Sequence, residues 1–339
     1  MKLLKIKIAI NGFGRIGRNL FRLLLDNPNI EVVAINDIAD NRTMSHLTRY
    51  DSIHGVLPHE CSFDESHIII DQKKYLFFHE KNITNLNWKS LDIDIVIEST
   101  GKYKTFQEIN QHIIAGAKKV ILSAPSEVDE IKTVVLGVNE NIIDGSETII
   151  SNASCTTNNA APMMKILNEL CGIEQAYITT VHSYTTDQSL HDQPHKDLRR
   201  ARGASQSIVP TTTGAAKALT KIFPELEGKI GGCGIRVPVP DGSLTDITVN
   251  VKRQVTIEQI NLAFQKASQT SFQGILDYTE DPIVSVDIIG NRNSCVFDAQ
   301  LTSVIDKMVK IVGWYDNEIG YSSRIIDLIM LISTKKQLS

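Results

Sequence analysis

The feature that most restricts how this chain can fold is a glycine motif close to its N-terminus. Gly12, Gly14 and Gly17 form the pattern G-x-G-x-x-G, which follows the apolar run 5–11 and opens a segment with helical spacing of apolar residues. In that context the first glycine permits a tight turn, the second lets a pyrophosphate approach the backbone, and the third allows close helix–strand packing. The motif therefore predicts a strand–turn–helix unit that binds a dinucleotide at the helix N-terminus.

An acidic residue at the end of the second predicted strand supports this interpretation. Asp37 follows the run 31–36 and stands 20 residues after Gly17, where a carboxylate can accept hydrogen bonds from the adenosine ribose hydroxyls. A carboxylate there repels a 2′-phosphate, so the sequence favours NAD over NADP. The alternative, a glycine turn followed by an ordinary loop aspartate, leaves the strand, motif, helix and strand order unexplained.

Two patterns of predicted secondary structure divide the chain. In the first 150 residues, short and nearly continuous apolar runs alternate with helical patterns, which predicts a parallel sheet covered on both faces. Later segments are longer and alternate polar with apolar residues, which suits an antiparallel sheet with one solvated face. The runs are 94–98, 119–122 and 134–138 in the first part and 176–182, 230–237, 244–251, 285–289 and 310–314 in the second, with helices at 214–222, 256–271 and 322–332.

The predicted fold class is α/β, with an N-terminal Rossmann dinucleotide-binding domain and an α+β catalytic domain that has a mainly antiparallel sheet. We place the first domain at residues 1–154 and the second at 155–318. The C-terminal helix, 319–339, is expected to return to the first domain.

Charge and cysteine content narrow the functional classes. The net charge is −4, so nucleic acid and membrane surfaces are not expected partners, although Arg199, Arg200 and Arg202 form a local basic run. The five cysteines are scattered without a C-x-x-C pair, which argues against disulfides and against a structural metal site. Residues 1–10 lack the apolar core of a signal peptide, and we expect a reducing, cytoplasmic compartment.

One cysteine has the context of a nucleophile. Cys155 follows the predicted strand 148–150 and precedes a helical pattern, so it is expected at or near a helix N-terminus. The helix dipole and the unpaired N–H groups there favour the thiolate, which is the attacking species. The alternative is a small buried hydrophobic residue, but the flanking serine and threonines fit that alternative poorly.

A histidine is available as the base that such a thiol needs. His182 ends the predicted strand 176–182 and is followed by polar residues. It could take the proton of Cys155 and later exchange a proton with the substrate oxygen. A surface or capping histidine remains the alternative, because eight other histidines compete for the role.

Taken together, these residues resemble the glyceraldehyde-3-phosphate dehydrogenase family from about Ile6 to Ile332. The resemblance lies in four long segments, A-I-N-G-F-G-R-I-G-R, S-N-A-S-C-T-T-N, P-T-T-T-G-A-A-K-A and W-Y-D-N-E-I-G-Y-S. It implies the phosphorylating oxidation of D-glyceraldehyde 3-phosphate to 1,3-bisphosphoglycerate with NAD, in glycolysis and gluconeogenesis. Cys155 would form a thiohemiacetal and then a thioester, and inorganic phosphate would release the acyl phosphate.

The resemblance also implies roles for further residues. Arg15 and Ile16 would line the pyrophosphate of NAD, and Asn317 would fix the nicotinamide carboxamide. The other cofactor-lining positions are Lys81, Thr100 and Ser123. The attacking phosphate would be held by Ser154, Thr156, Thr213 and Gly214, and the substrate's own phosphate by Thr185, Arg236 and one of the pair Arg199 and Arg200.

Two positions depart from the family pattern. Many members carry a second cysteine four residues after the nucleophile, where this chain has Asn159. A residue at i+4 shares a helix face with the nucleophile, so we expect oxidised Cys155 to lack a resolving thiol within its helix. Gln193-Pro194 stands where NAD-using bacterial members often have Leu-Pro, so the polar Gln193 weakens the expectation of strict NAD selectivity.

Two other functions remain as alternatives. Erythrose-4-phosphate dehydrogenase is a close relative, but Thr213 and Gly214 preserve a phosphate site that hydrolysis of the thioester does not need. A non-catalytic NAD-binding redox sensor could dispense with Cys155 and His182, which are both present. The polar stretch 183–207 has no helix or strand pattern, and such a loop usually needs a function or a partner. The resemblance implies a homotetramer in which this loop reaches a neighbouring subunit.

Overall fold

A computed structural model of the chain describes residues 5–126 and 128–335, and the first half of these residues is built on a largely parallel sheet. Its strands are β1 (Ile6–Asn11), β2 (Ile30–Asn36), β5 (Cys61–Phe63), β6 (His67–Ile70), β7 (Lys73–Phe78), β8 (Ile95–Glu98), β9 (Lys119–Leu122), β10 (Lys132–Thr133) and β11 (Ile149–Ser151). The strands β3 (Tyr50–Asp51) and β4 (Gly55–Val56) form a separate antiparallel pair. The helices among them are α1 (Arg15–Leu24), α2 (Asn41–Arg49), α3 (Phe106–Ile109) and α4 (Gln111–Ile114).

The strand order of this sheet is that of a Rossmann-type arrangement. The order is β10-β11-β9-β8-β1-β2-β7-β6-β5, and all neighbours from β10 to β7 are parallel. The central strands are buried on both faces, as their continuous apolar sequences predict, and residues such as Ala9, Val96 and Val120 belong to one core with Trp88. The sheet places the carboxyl ends of β8, β1 and β2 side by side.

The second half contains a mainly antiparallel sheet, as predicted. The helices α5 (Cys155–Cys171), α6 (Ala215–Ile222) and α7 (Ile257–Gln269) accompany the strands β12 (Ile173–Ser183), β13 (Val209–Thr211), β14 (Ile230–Val237), β15 (Ser243–Val251), β16 (Leu276–Thr279), β17 (Cys295–Asp298), β18 (Ser303–Ile305) and β19 (Met308–Tyr315), and α8 (Ile319–Lys335) closes the chain. The order is β13-β14-β12-β15-β19-β17-β16, with β18 on β19. The pairs β12–β14 and β16–β17 are parallel and the other pairs are antiparallel.

The described chain forms two compact units. The first contains the residues up to Val134, the segment Asn141–Ala153 and the chain from Ser322, and the second contains Val135–Glu140 and Ser154–Tyr321. The predicted division assigned Val135–Glu140, Ser154 and the first residues of the C-terminal helix, 319–321, to the first domain, whereas these residues belong to the second unit. Residues 336–339, which the prediction included in the C-terminal helix, lie outside the described residues. No helix in the described ranges combines the length and apolarity needed to cross a bilayer.

Two predicted strands are wrong, and both are tight turns. The run 134–138 is not a strand, because the chain turns at Gly137 (φ +80°) and the backbone N–H of Val135 donates to Oδ1 of Asn139. The run 285–289 is a single 3-10 turn, Ser285–Ile288, in which the carboxylate of Asp287 accepts from the N–H of Val284 at 2.8 Å. Apolar content alone does not distinguish a buried turn from a short strand.

Candidate active site

A cavity of about 420 Å³ opens in the first unit at the carboxyl ends of β1, β2 and β8. In an open parallel sheet, ligands bind outside the carboxyl ends of the strands, at the point where the strand order reverses. Its lining residues come from the glycine turn, from the ends of the three strands and from the segment after β7: Asn11, Gly12, Gly14, Asn36, Asp37, Ile38, Glu80, Lys81, Ser99, Thr100, Lys102 and Tyr103.

The geometry of the glycine turn explains why two of its positions must be glycine. Gly12 has φ +94°, and a Cβ on it would lie 2.5 Å from the backbone nitrogen of Thr100. A Cβ on Gly17 would lie 2.2 Å from the carbonyl oxygen of Gly12, so helix α1 could not pack so closely on the turn. A Cβ on Gly14 would meet nothing within 4 Å, so the backbone at this position is open to an approaching group. These are the three glycine roles that the motif predicts.

Two charged residues near this turn are tied to protein groups in different ways. Asp37 lines the cavity, and its oxygens accept from the N–H of Phe13 at 2.7 Å and of Ala39 at 3.0 Å. Each carboxylate oxygen can accept more than one hydrogen bond, so Asp37 can still receive a ribose hydroxyl. The guanidinium of Arg15 forms a forked pair with Asp51 at 2.6 and 3.1 Å. The side chain of Arg15 is therefore engaged by Asp51, and its backbone at the start of α1 is the part that could face a pyrophosphate.

Of the three remaining residues predicted to contact the cofactor, two line the cavity and one does not. Lys81 and Thr100 line the cavity, and both are exposed. Ser123 lies just after β9, where its N–H donates to the carbonyl oxygen of Glu98 at 2.9 Å, and it is not among the lining residues of the cavity.

In the second unit the predicted nucleophile is the first residue of a long helix. Cys155 begins α5, and Ser154 is the N-cap, whose hydroxyl accepts from the N–H of Thr157 at 3.1 Å. The residue before the cap, Ala153, has φ +55°, a left-handed conformation that costs roughly 1–2 kcal/mol for a residue other than glycine. This sharp turn between β11 and α5 presents the Cys155 thiol at the positive end of the helix dipole.

The predicted base lies beside this thiol. Nε2 of His182 is 3.4 Å from Sγ of Cys155, within the range of a hydrogen bond to sulfur. Nδ1 is 2.8 Å from the carbonyl oxygen of Ser183 and also 2.8 Å from Nη1 of Arg236. The two Nδ1 contacts require different tautomers, because an N–H must face the carbonyl oxygen whereas a lone pair must face the guanidinium. The tautomer that donates to Ser183 leaves Nε2 free to accept the thiol proton.

The surroundings favour neutral forms of both groups. Burial and, to a smaller extent, the charge of the neighbouring Arg236 together lower the pKa of His182 to about 3. Burial also raises the pKa of the Cys155 thiol, while Arg236 and the N–H of Thr156 act in the opposite direction. A neutral imidazole beside a thiol is the arrangement from which general-base activation of a nucleophile starts.

Tyr315 is a site residue that the sequence analysis missed. Its ring packs edge-on to His182 with centroids 5.9 Å apart, and its hydroxyl lies 3.0 Å from Oγ1 of Thr156 and 2.9 Å from Oγ1 of Thr180. The tyrosine is buried and thereby holds both the histidine and the first turn of α5. The sequence feature that could have identified Tyr315 was its position in the segment W-Y-D-N-E, two residues before Asn317.

The amide of Asn317 has a fixed orientation. Its Oδ1 accepts from the hydroxyls of Ser183 at 2.9 Å and Ser243 at 2.7 Å. With the oxygen so engaged, the amide NH₂ is the end that remains for a carbonyl oxygen, as recognition of a carboxamide requires. The two serines were not singled out from the sequence, because a hydroxyl that orients an amide leaves no spacing signal.

Two of the residues predicted to bind the substrate's phosphate contact one carboxylate, that of Asp187, and a third acts on it through its charge. The hydroxyl of Thr185 donates to Asp187, and Nη1 of Arg200 lies 2.5 Å from the same carboxylate. Burial acts to raise the pKa of Asp187, but the hydrogen bond from Thr185 and the charges of Arg236 and Arg200 outweigh it and lower this pKa. Arg199 is exposed, so Arg200 is the member of the pair that faces this cluster.

The predicted inorganic-phosphate residues lie at two helix starts. Ser154 and Thr156 cap and open α5, whereas Thr213 and Gly214 precede α6, where the hydroxyl of Thr213 accepts from the N–H of Ala215 at 3.2 Å. A helix N-terminus is a suitable place for an anion because its N–H groups point outward along the dipole.

The two departures from the family pattern also have defined positions. Asn159 is fully buried, and its Nδ2 donates to the carbonyl oxygens of Ser294 at 3.3 Å and Trp314 at 3.2 Å, so it ties α5 to the sheet. Gln193 is exposed in the loop 184–207, and its side chain donates to the hydroxyl of Ser189. The loop contains one short 3-10 turn, Ala204–Gln206, in agreement with the absence of a helix or strand pattern.

Comparison with known proteins covers both units. Residues 6–106 match the family profile described as glyceraldehyde 3-phosphate dehydrogenase, NAD binding domain, and residues 154–317 match the profile for its C-terminal domain. The chain is 51% identical over 333 residues to glyceraldehyde-3-phosphate dehydrogenase 2 of Streptomyces avermitilis, covering 97% of this chain and 99% of the relative. Glyceraldehyde-3-phosphate dehydrogenase of Geobacillus stearothermophilus is 50% identical over 332 residues, with the same coverage. Glyceraldehyde-3-phosphate dehydrogenase 1 of Bacillus subtilis is 48% identical over 332 residues, again covering 97% and 99%.

Proposed function

The chain belongs to the glyceraldehyde-3-phosphate dehydrogenase family, and from this premise we propose which residues carry the reaction and in what order. Family membership makes it an NAD-dependent oxidoreductase of glycolysis that acts on an aldehyde. The observation that carries the proposal is the 3.4 Å approach of Cys155 Sγ to His182 Nε2 at the start of α5.

Cys155 is the nucleophile and His182 the base. With Nδ1–H donated to the carbonyl of Ser183, Nε2 takes the thiol proton as sulfur attacks the aldehyde carbon, and a thiohemiacetal forms on Cys155. The imidazolium that results donates to the new alkoxide oxygen. His182 then takes the hydroxyl proton back when the carbon loses hydride, which leaves a thioester on Cys155. Inorganic phosphate attacks the thioester, the thiolate departs, and the product is 1,3-bisphosphoglycerate.

NAD, when bound, supplies the hydride acceptor, and the cavity of the first unit fits it. The open backbone at Gly14 suits a pyrophosphate, and Asp37 suits the ribose hydroxyls. Gly12 and Gly17 shape the turn, Ile16 lies in the first turn of α1, and Lys81 and Thr100 border the cavity. Asn317, whose oxygen is held by two serines, would present its NH₂ to the nicotinamide carboxamide. Ser123 would act only through its contact with the end of β8.

Two anion sites complete the proposal. Thr185, Arg200 and Arg236 hold the phosphate of the substrate, since the hydroxyl of Thr185 and the guanidinium of Arg200 already bond one anion, the carboxylate of Asp187, and the charge of Arg236 acts on the same group. The helix starts with Ser154, Thr156, Thr213 and Gly214 hold the attacking phosphate.

We place the active protein in the cytoplasm as a homotetramer. The described cysteines are free thiols, and the mechanism needs one of them reduced, which suits a reducing compartment. The loop 184–207 and the residue that follows it expose large apolar side chains, with Leu198 at 81%, Ile208 at 70% and Leu190 at 64%, as a surface covered by a neighbouring subunit would. Light scattering of the purified protein should give four chains per particle, and Leu198→Lys should lower that number. A monomeric wild type at micromolar concentration would contradict the assembly.

NADH formation from glyceraldehyde 3-phosphate, with and without inorganic phosphate, tests the reaction. The wild type should turn over repeatedly only with phosphate, Cys155→Ser should be inactive, and the matched control Cys61→Ser should retain full activity. Turnover that ignores phosphate would favour a hydrolytic dehydrogenase such as one acting on erythrose 4-phosphate. Binding of NAD without turnover would favour the non-catalytic redox sensor.

A further inference from the structure

Beneath the cavity of the first unit lies a chain of buried polar side chains that the mechanism above does not use. Trp88 and His112 are 0% exposed and Glu98 is 1% exposed. Glu98 ends β8 and pairs with Asn11 at the end of β1, and β2 lies on the other side of β1. A carboxylate and an imidazole this deeply buried need a complete set of partners.

The donors and acceptors of this chain can be assigned without ambiguity. The indole N–H of Trp88 can only donate, and it lies 3.0 Å from Nδ1 of His112. Nδ1 is therefore an acceptor, so the ring proton of the neutral imidazole is on Nε2 and donates to Oε2 of Glu98 at 3.0 Å. The amide nitrogen of Asn11 approaches the same Nε2 at 3.4 Å, but both groups are donors and this is a contact rather than a bond.

Glu98 acts as the acceptor on which the other groups converge. Its Oε2 also accepts from Nδ2 of Asn11 at 2.6 Å, and its Oε1 accepts from the N–H of Thr100 at 2.9 Å and from the hydroxyl of the same threonine. All of these partners are neutral donors, so they hold the negative charge in place without cancelling it.

The orientation imposed by Glu98 continues across the sheet edge. Because Nδ2 of Asn11 must face the carboxylate, its Oδ1 faces Asn36 and accepts from Nδ2 of that residue at 2.7 Å. Oδ1 of Asn36 then accepts from the N–H of Glu80 at 2.8 Å. Asn11, Asn36, Glu80 and Thr100 all line the cavity, so one buried charge sets the direction of the hydrogen bonds along its floor.

We propose that Glu98 and His112 are positioning residues for NAD, which orient the cavity floor that contacts the dinucleotide. The proposal rests on the proposed use of this cavity for NAD. Its rival is a purely structural network, which would contribute to folding but not to cofactor affinity. Glu98→Gln separates the two, because it keeps the volume and removes the charge. The new NH₂ would face a donor at either end, and the amides of Asn11 and Asn36 would lose their fixed direction.

The test measures the dissociation constant of NAD by titration calorimetry and the KM values for NAD and for glyceraldehyde 3-phosphate. Glu98→Gln and His112→Phe should raise the Kd and KM of NAD about tenfold or more, because the amides that line the cavity lose their fixed direction and one hydrogen bond from the cavity floor to the dinucleotide is weakened. The kcat at saturating NAD and the KM of the aldehyde should stay within about twofold. The matched control is Thr48→Val in α2, which removes a buried hydrogen bond of 2.7 Å to the carbonyl of Met44, and neither residue lines the cavity.

Variants with a lower melting temperature but an unchanged Kd of NAD, like the control, would overturn the proposal. If His112→Phe does not fold, the isosteric Glu98→Gln still decides the matter. A wild type that binds NAD but does not oxidise the aldehyde would refute the proposed reaction, and the Kd comparison would remain decisive for Glu98.

Discussion

Replacing Tyr315 by phenylalanine should destabilise the protein by an amount that the structure defines, because it removes one hydroxyl and little else. That hydroxyl lies 3.0 Å from Oγ1 of Thr156 and 2.9 Å from Oγ1 of Thr180, and the tyrosine is 1% exposed. A buried hydrogen bond between neutral groups contributes about 1 kcal/mol net. The loss of both should lower the free energy of unfolding by about 2 kcal/mol, while the ring keeps its edge contact with His182.

Urea unfolding at fixed protein concentration measures this loss as a lower midpoint with an unchanged slope. The matched control is Tyr278→Phe, because the hydroxyl of Tyr278 donates to Glu280 at 2.8 Å in an exposed position, and its loss should cost less than about 0.5 kcal/mol. Turnover of Tyr315→Phe should fall by less than about tenfold, since the Cys155–His182 contact is untouched. Equal destabilisation by the two variants would refute the reasoning.

Three further predictions follow from other parts of the structure. Asp37→Asn replaces one of the two carboxylate oxygens, which accept from backbone N–H groups, by a donor. The value of kcat/KM with NAD should fall by about tenfold or more, while kcat/KM with NADP should rise. An unchanged ratio of the two kcat/KM values would exclude Asp37 from the choice between NAD and NADP. Burial acts to raise the pKa of Asp51, but its bonds from Arg15 and two backbone N–H groups lower it from 3.8 to about 2. The folded state therefore favours the ionised carboxylate of Asp51, which contributes about 2 kcal/mol to the free energy of unfolding at pH 7, and this contribution is lost as the pH falls through about 2. The difference in unfolding free energy between wild type and Asp51→Asn should accordingly shrink to about half near pH 3. A difference that does not change with pH would contradict this. After peroxide treatment, peptide mapping should find a dithiothreitol-reversible disulfide in Asn159→Cys but no disulfide from Cys155 in the wild type. A reversible disulfide between Cys155 and any other cysteine of the wild type would refute the idea that Cys155 lacks a resolving partner.

The parallel half of the fold was predictable because its signals are local. The glycine turn has steric reasons at Gly12 and Gly17, and the strands on either side are continuous apolar runs of ordinary length. The strands predicted at 134–138 and 285–289 are wrong for the same reason. In each case a side chain three or four residues further along the chain, Asn139 or Asp287, accepts from a backbone N–H and fixes a turn, and the apolar content of the segment gives no sign of this bond.

The candidate site was predictable where chemistry is carried by one residue in a distinctive segment. Cys155 at a helix start and His182 at a strand end fall in that class. Tyr315 and the serines that orient Asn317 do not, because their roles depend on contacts between residues more than 70 positions apart. The choice between Arg199 and Arg200 likewise needed the position of Asp187 in three dimensions.

The central claim, a thioester on Cys155, is tested most directly by intact-protein mass spectrometry of an acid-quenched reaction that contains NAD and glyceraldehyde 3-phosphate but no inorganic phosphate. The account predicts one phosphoglyceroyl group per chain, located on Cys155 by peptide mapping and discharged when phosphate is added before the quench. A burst of NADH without any adduct on Cys155, or an adduct that phosphate does not remove, would contradict it.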